Sequence, residues 1–140
     1  MSWLIYAFLS AFFASIVAIL AKIGIKEVDS NLATAIRTVV IFIFTWGIVF
    51  YQGSFKQITE IPKVSLLFII LSGIATGISW LFYFKALQIG NASQVVPIDK
   101  LSLVLTIIFA FIILKEKVTV SVIVGSLLMT VGAIMIALGK

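Results

Sequence analysis

Long uncharged apolar runs dominate the pattern of this chain. Residues 1–21, 64–84 and 118–139 contain no Asp, Glu, Lys or Arg. A bilayer core of ~30 Å needs roughly 20 apolar residues of helix to cross it, so each run is long enough to span a membrane. Two further apolar stretches, 32–51 and 92–114, are interrupted by a few charges. The pattern predicts an all-α polytopic integral membrane protein, a bundle of five transmembrane helices in one domain of residues 1–140. The predicted spans are 3–21, 32–51, 64–84, 92–114 and 118–139.

Polar residues between the runs predict where the spans begin and end. Ser30 or Asn31 is placed to cap the second span. The stretch 52–63 is the most polar in the chain and is predicted to be a loop before the third span. Asn91 opens the fourth span with Gln94 three residues later, the spacing of a capping box. All the predicted loops are too short for a folded domain outside the membrane.

Composition narrows the function classes. The chain is 63% hydrophobic and 11% charged, with a net charge of +5 and with no histidine or cysteine. Its basic residues lie between apolar runs, which indicates headgroup anchoring rather than nucleic-acid binding. One embedded carboxylate without a second acid, His or Cys cannot form an acid–base pair or a metal cage. We therefore expect no enzyme activity, no cofactor, no metal and no nucleic-acid partner.

Loop charges leave the orientation undecided. An odd number of spans places the two ends on opposite faces, and Lys and Arg in short loops set the orientation. Each face receives four lysines. These are Lys56, Lys63, Lys115 and Lys117 on one side, and Lys22, Lys26, Lys85 and Lys140 on the other. Two interpretations remain. Arg37 and Lys100 lie within the spans, nearer the side of Lys22, and can make that side cytoplasmic. Alternatively, copies of the protein insert in both orientations.

Hydroxyl groups line one face of two predicted helices. Ser79 and Tyr83 share a face of the third span, and Ser102 and Thr106 share a face of the fourth span with Asp99. A Ser or Thr in a membrane helix usually bonds to its own backbone. Two aligned stripes also fit the lining of a hydrated path.

The fourth span holds the most suggestive group of residues. Pro97 lacks an N–H, which predicts a kink. Asp99 lies eight residues after Asn91, about 12 Å along the helix axis. An embedded carboxylate must be protonated, paired or in water, and it is a functional candidate by default. Its candidate partners are Arg37 and Lys100, although Lys100 can instead extend its ammonium to the interface.

Glycines in the third and fifth spans predict close helix packing. In lipid, helices associate through small residues that let backbones approach. The predicted packing positions are Gly73, Gly77, Gly125 and Gly132. They serve either the bundle of one chain or, in part, a contact between subunits.

A family resemblance rests on several of these elements. They are the segment 80–87 (WLFYFKAL), Pro97, Glu116 with Thr119 after it, and Gly125. Together they resemble the EamA domain of the drug/metabolite transporter superfamily, and Arg37 matches a common arginine of that family. The chain is similar to the group with one five-span domain, whereas most members have two. It departs at Lys115, where glycine is usual.

The resemblance implies a secondary transporter or exporter of small metabolites, built of two halves in inverted orientation. A single half then needs an oppositely inserted copy, so the expected assembly is an antiparallel homodimer in the cell membrane. We expect Asp99 to be the coupling or orienting charge, and Arg37 and Lys100 to contact a substrate anion or Asp99. The hydroxyls described above would contact the solute, Trp80 would form an aromatic wall, and Pro97 would bend the helix. The rival interpretation is a non-transporting membrane subunit that packs against a larger partner.

Overall fold

The computed structural model describes residues 2–139, and within that range it contains helices and no strand. The elements are α1 (Ser2–Gly24), α2 (Ser30–Tyr51), a 3₁₀-helix (Ser54–Glu60), α3 (Lys63–Ile89), α4 (Ala92–Asp99), α5 (Ser102–Ile113) and α6 (Val120–Leu138). Five stretches are long and apolar enough to cross a membrane, with α4 and α5 forming one of them, Ala92–Ile113. The predicted all-α membrane fold is confirmed.

The ends of two helices differ from the prediction. α3 continues five residues beyond 84, through Lys85. A single lysine does not end an apolar helix, because its long aliphatic stem can lie along the helix while its ammonium group stays in polar surroundings. Here Lys85 Nζ donates to Gln88 Oε1 at 3.2 Å. The cap of α2 is Asp29 rather than Ser30 or Asn31, since its carboxylate accepts from the first free amides at 2.9 and 3.1 Å.

The predicted capping box at the start of α4 does not form. Asn91 occupies the N-cap position, but its side chain makes no bond to the free backbone amides. Its amide instead donates to the side chain of Gln94 at 3.3 Å. Gln94 also donates to the carbonyl of Gly139 at 3.2 Å, which links α4 to the end of α6.

The polar stretch 52–63 contains a 3₁₀-helix that the prediction did not include. Gly53 leads into it with φ of 71°, in the left-handed region that glycine adopts without steric cost. Aromatic rings then continue from α2 into the 3₁₀-helix, with successive centroids 5.4–6.0 Å apart. The rings are those of Phe42, Trp46, Phe50 and Phe55. Aromatic packing of this kind explains why a polar loop acquires a fixed helical turn.

The contacts of the chain group into two compact units. The first comprises Met1–Lys22 and Ile89–Lys140. In it α6 packs against α4 and α5, with Ser126 and Ala133 buried on α6. Lys22 Nζ donates to the carbonyl of Gly90 at 2.6 Å, which fastens the end of α1 to the α3–α4 connection.

The second unit is Ile23–Gln88. Its most buried apolar side chains are Ile25 after α1 and Leu87 near the end of α3. Gln88 Nε2 donates to the carbonyl of Val28 at 2.9 Å and so joins α3 to the α1–α2 connection. The assignment of residues 1–140 to one domain stays a prediction.

A short connection that contains Lys115, Glu116 and Lys117 lies between α5 and α6. Lys115 has a φ of 55°, in the left-handed region. The amide of Glu116 donates back to the carbonyl of Ala110 at 3.2 Å, which closes the helix end. Helix ends of this kind usually place glycine at the left-handed position. Lys115 therefore adopts the left-handed backbone conformation that glycine usually provides at such a helix end.

Candidate functional site

Arg37 on α2 contacts the aromatic residues of α3. Its guanidinium carbon lies over the Trp80 ring, 4.5 Å from the centroid, and over the Phe84 ring at 4.9 Å. Trp80 and Phe84 are four residues apart, so they lie on one face of the helix. We call Arg37, Trp80 and Phe84 the arginine cluster. A cation over an aromatic ring is stabilised by about 0.5–2 kcal/mol, and by more when water is excluded.

Tyr83 borders the arginine cluster. Its ring meets Phe84 edge-on, with centroids 6.0 Å apart, and it lies within electrostatic reach of Arg37. The structure thus brings together three predicted site residues, Arg37, Trp80 and Tyr83. Sequence reasoning missed Phe84, although its four-residue spacing from Trp80 placed it on the same face.

Asp99 and Lys100 stand where the fourth span is interrupted. α4 ends at Asp99 and α5 begins at Ser102. Between them the backbone tightens, because the amides of Leu101, Leu103 and Val104 donate three residues back at 2.9–3.0 Å. The interruption lies three residues after Pro97, and the predicted span 92–114 consists of two helices. A kink caused by Pro97 stays a prediction.

The Asp99 carboxylate pairs with the neighbouring lysine. Lys100 Nζ lies 3.6 Å from Asp99 Oδ2, and the side chains are 36% (Asp99) and 55% (Lys100) exposed. Adjacent residues on a helix point about 100° apart, but the long lysine stem reaches back at this turn. Asp99 and Arg37 belong to different units, and each has partners within its own unit. Lys100 is thus a partner of Asp99 within its unit, and the functional role of Asp99 stays a prediction.

The hydroxyl stripes make mainly local bonds. Thr106 donates to the carbonyl of Ser102 at 2.8 Å, and Thr76 donates to the carbonyl of Ser72 at 2.9 Å. Ser79 and Ser102 are exposed. Both threonines thus follow the usual behaviour of threonine in membrane helices. The contact of Ser79, Tyr83, Ser102 and Thr106 with a solute stays a prediction.

The four glycines have open space beside them within the described chain. A Cβ added at Gly73, Gly77, Gly125 or Gly132 would meet no heavy atom of residues 2–139 within 4 Å, apart from the local helix backbone. Their packing role stays a prediction.

These groups have the chemistry of binding and charge. No group of three His, Cys, Asp or Glu side chains able to hold a metal occurs in residues 2–139. One ion pair, one ring-bound guanidinium and several hydroxyls can bind and orient a polar solute.

A family model and one relative match this chain along nearly its whole length, and a second relative matches part of it. Residues 1–138 match the EamA-like transporter family. A Sinorhizobium protein named as an uncharacterised transporter in the cobO 3′ region is 44% identical over 136 residues, covering 97% of this chain and 96% of the relative. An uncharacterised protein of Methanocaldococcus jannaschii is 28% identical over 86 residues, covering 61% of this chain and 63% of the relative. No solved structure matches the chain.

Proposed function

Since this chain belongs to the EamA-like transporter family, we propose that it is a secondary transporter that exports small polar or amphipathic solutes by alternating access. It is a multi-pass membrane protein with five helical stretches able to span the bilayer. We place it in the cell membrane, where an exporter of metabolites or drug-like solutes would act.

The interrupted fourth span is the observation that supports this proposal most. Transporter sites are commonly built where membrane helices are discontinuous, because irregular backbone at depth is tolerated when it is buried in protein or lines a cavity. Here the interruption coincides with Asp99 and Lys100, about 12 Å from the start of α4. A static structural helix would gain nothing from an acid at that position, since embedded charges are costly.

We further propose that the working unit is an antiparallel homodimer. The lysine count of the loops is equal on the two faces, so insertion has little preference. Inverted repeats with a site at their interface are a common transporter architecture, and two oppositely inserted copies reproduce it. The open space beside Gly73 and Gly77 gives a second copy room to approach α3.

In this mechanism Asp99 is the charge that changes partners during the cycle. Paired with Lys100 it is nearly neutral as a unit, which lowers the cost of crossing apolar surroundings. Protonation of Asp99, or its contact with a cationic group of the solute, would release Lys100. Solute binding and the orientation of the embedded charges would thereby be coupled.

Orientation-locked variants test both parts of the proposal. Two lysines added within 52–63 should lock one orientation, and two added to the α1–α2 connection should lock the other. Each locked protein alone should give proteoliposomes without flux in a panel of labelled cations, anions and neutral solutes. A mixture of the two, and the wild type, should transport at least one of them.

The outcomes separate transport from the rival interpretation. Flux by a single locked variant would contradict the antiparallel dimer. Absence of flux for every solute, with a fixed wild-type orientation and co-purification of another membrane protein, would support the non-transporting subunit instead.

A further inference from the structure

Arg37 is a membrane-embedded cation whose partners are aromatic rings. It lies seven residues into α2, about 10 Å along the axis, within a stretch able to span the membrane. Among the described residues of its own unit, Trp80 and Phe84 contact its guanidinium, and Tyr83 lies within electrostatic reach of it.

Contacts with aromatic rings do not use the hydrogen-bond donors of a guanidinium group. A ring face attracts the positive charge but offers no lone pair for the five N–H donors. Those donors lie in one plane as a rigid fork that matches a carboxylate in bidentate fashion. The rings also hold the fork in place, which lowers the ordering cost of binding.

We propose that the arginine cluster recognises a small organic monocarboxylate with an apolar body. This inference rests on the proposed transport function, because it names the substrate class of that function. The carboxylate would form paired hydrogen bonds with Arg37, and its apolar body would lie against Trp80 and Phe84.

The charge balance favours a monoanion. Arg37 is the only arginine of the sequence and the only cation between Asn31 and Tyr51 of α2. One carboxylate neutralises one guanidinium, whereas a dianion would leave an uncompensated charge at membrane depth, which is costly. The apolar rings beside the fork fit a hydrocarbon or aromatic body better than a second polar group.

Tryptophan fluorescence gives a direct readout, because Trp80 touches Arg37. A Trp3→Phe/Trp46→Phe background leaves Trp80 as the single tryptophan. The purified protein in phosphatidylcholine nanodiscs is titrated with benzoate and with benzamide, its neutral isostere. We expect saturable quenching by benzoate and none by benzamide.

Variants assign the binding to the guanidinium. Arg37→Gln should weaken benzoate binding about 10–100-fold, because a charge-assisted bidentate contact is lost. Arg37→Lys should weaken it less, since charge is retained without the fork. Lys85→Gln is the matched control: it removes an exposed cation of α3, the helix that carries Trp80 and Phe84, and should leave binding unchanged. If Arg37→Gln does not fold, the comparison of benzoate with benzamide decides alone.

The remaining outcomes are decisive. Equal binding of benzamide, or unchanged binding in Arg37→Gln, would overturn the proposal. Loss of benzoate binding when phosphatidylglycerol is included in the nanodiscs would assign the cluster to a lipid headgroup and also overturn it. Benzoate binding by a protein without flux would refute transport alone, while flux of cations without benzoate binding would refute the monocarboxylate site alone.

Discussion

The ion pair of Asp99 and Lys100 could serve either the stability of the fold or the function of the protein. The solvent exposure of the two side chains distinguishes these roles. Partly exposed pairs contribute about 0–1 kcal/mol, whereas breaking a fully buried pair costs about 3–5 kcal/mol. The side chains of this pair are 36% and 55% exposed, so it resembles the partly exposed pairs. Its contribution to the free energy of unfolding is therefore small.

Replacement of Asp99 should affect turnover more than folding. Asp99→Asn keeps the side-chain shape and removes the charge, so we expect unfolding free energy to fall by no more than about 1 kcal/mol. Flux, or its dependence on pH, should be lost. Melting temperature and flux of the same preparation are compared, with Glu116→Gln in the α5–α6 turn as control. Normal flux with normal pH dependence would remove Asp99 from the mechanism.

Lys115 stores local backbone strain that a glycine would relieve. A side chain at φ of 55° is disfavoured by contacts of its Cβ. Lys115→Gly should therefore be more stable than Lys115→Ala by about 1 kcal/mol. The two variants lose the same charge, so their difference in thermal or denaturant unfolding reports the backbone alone. Equal stabilities would mean that the turn relaxes without a left-handed residue.

At the scale of elements, hydrophobic runs predicted the five spans because length and apolarity alone decide whether a helix can cross a bilayer. The cap of α2 was less predictable, because Asp29, Ser30 and Asn31 are all good capping residues. Which of them caps the helix depends on the backbone conformation of the connection that leads into α2. Pro97 indicated the interruption of the fourth span, but the turn formed later because nearby amides could bond three residues back. The contact of Arg37 with Phe84 joins residues 47 positions apart in the chain, and the periodicity of a single helix carries no information about such a contact.

The glycines of α3 lead to a prediction about whether this face of the helix contacts a second copy of the chain. Gly77→Leu should leave the folding of the single chain largely unchanged, because a Cβ added at Gly77 meets no heavy atom within 4 Å. It should weaken the dimer, seen as a later elution volume or a raised dissociation constant. Ala75→Leu, on another face of α3, is the matched control. Dimers of unchanged affinity in Gly77→Leu would place this face against lipid.

At the scale of the molecule, most apolar surface of the membrane-spanning helices is exposed, and α3 buries only Phe84 and Leu87. Lipid can cover such surface, but a solute path needs walls of protein. An odd number of spans and a balanced lysine count make an inverted second copy available from the same sequence. The account therefore treats one chain as half of a transporter.

Orientation of the wild-type protein tests this account most directly. Reporters active only in the cytoplasm or only outside it are fused in turn to the end of the chain at residue 140, and both are measured at equal expression. The account predicts substantial signal from both fusions. Signal from one reporter alone, in a protein that still transports, would contradict the antiparallel homodimer.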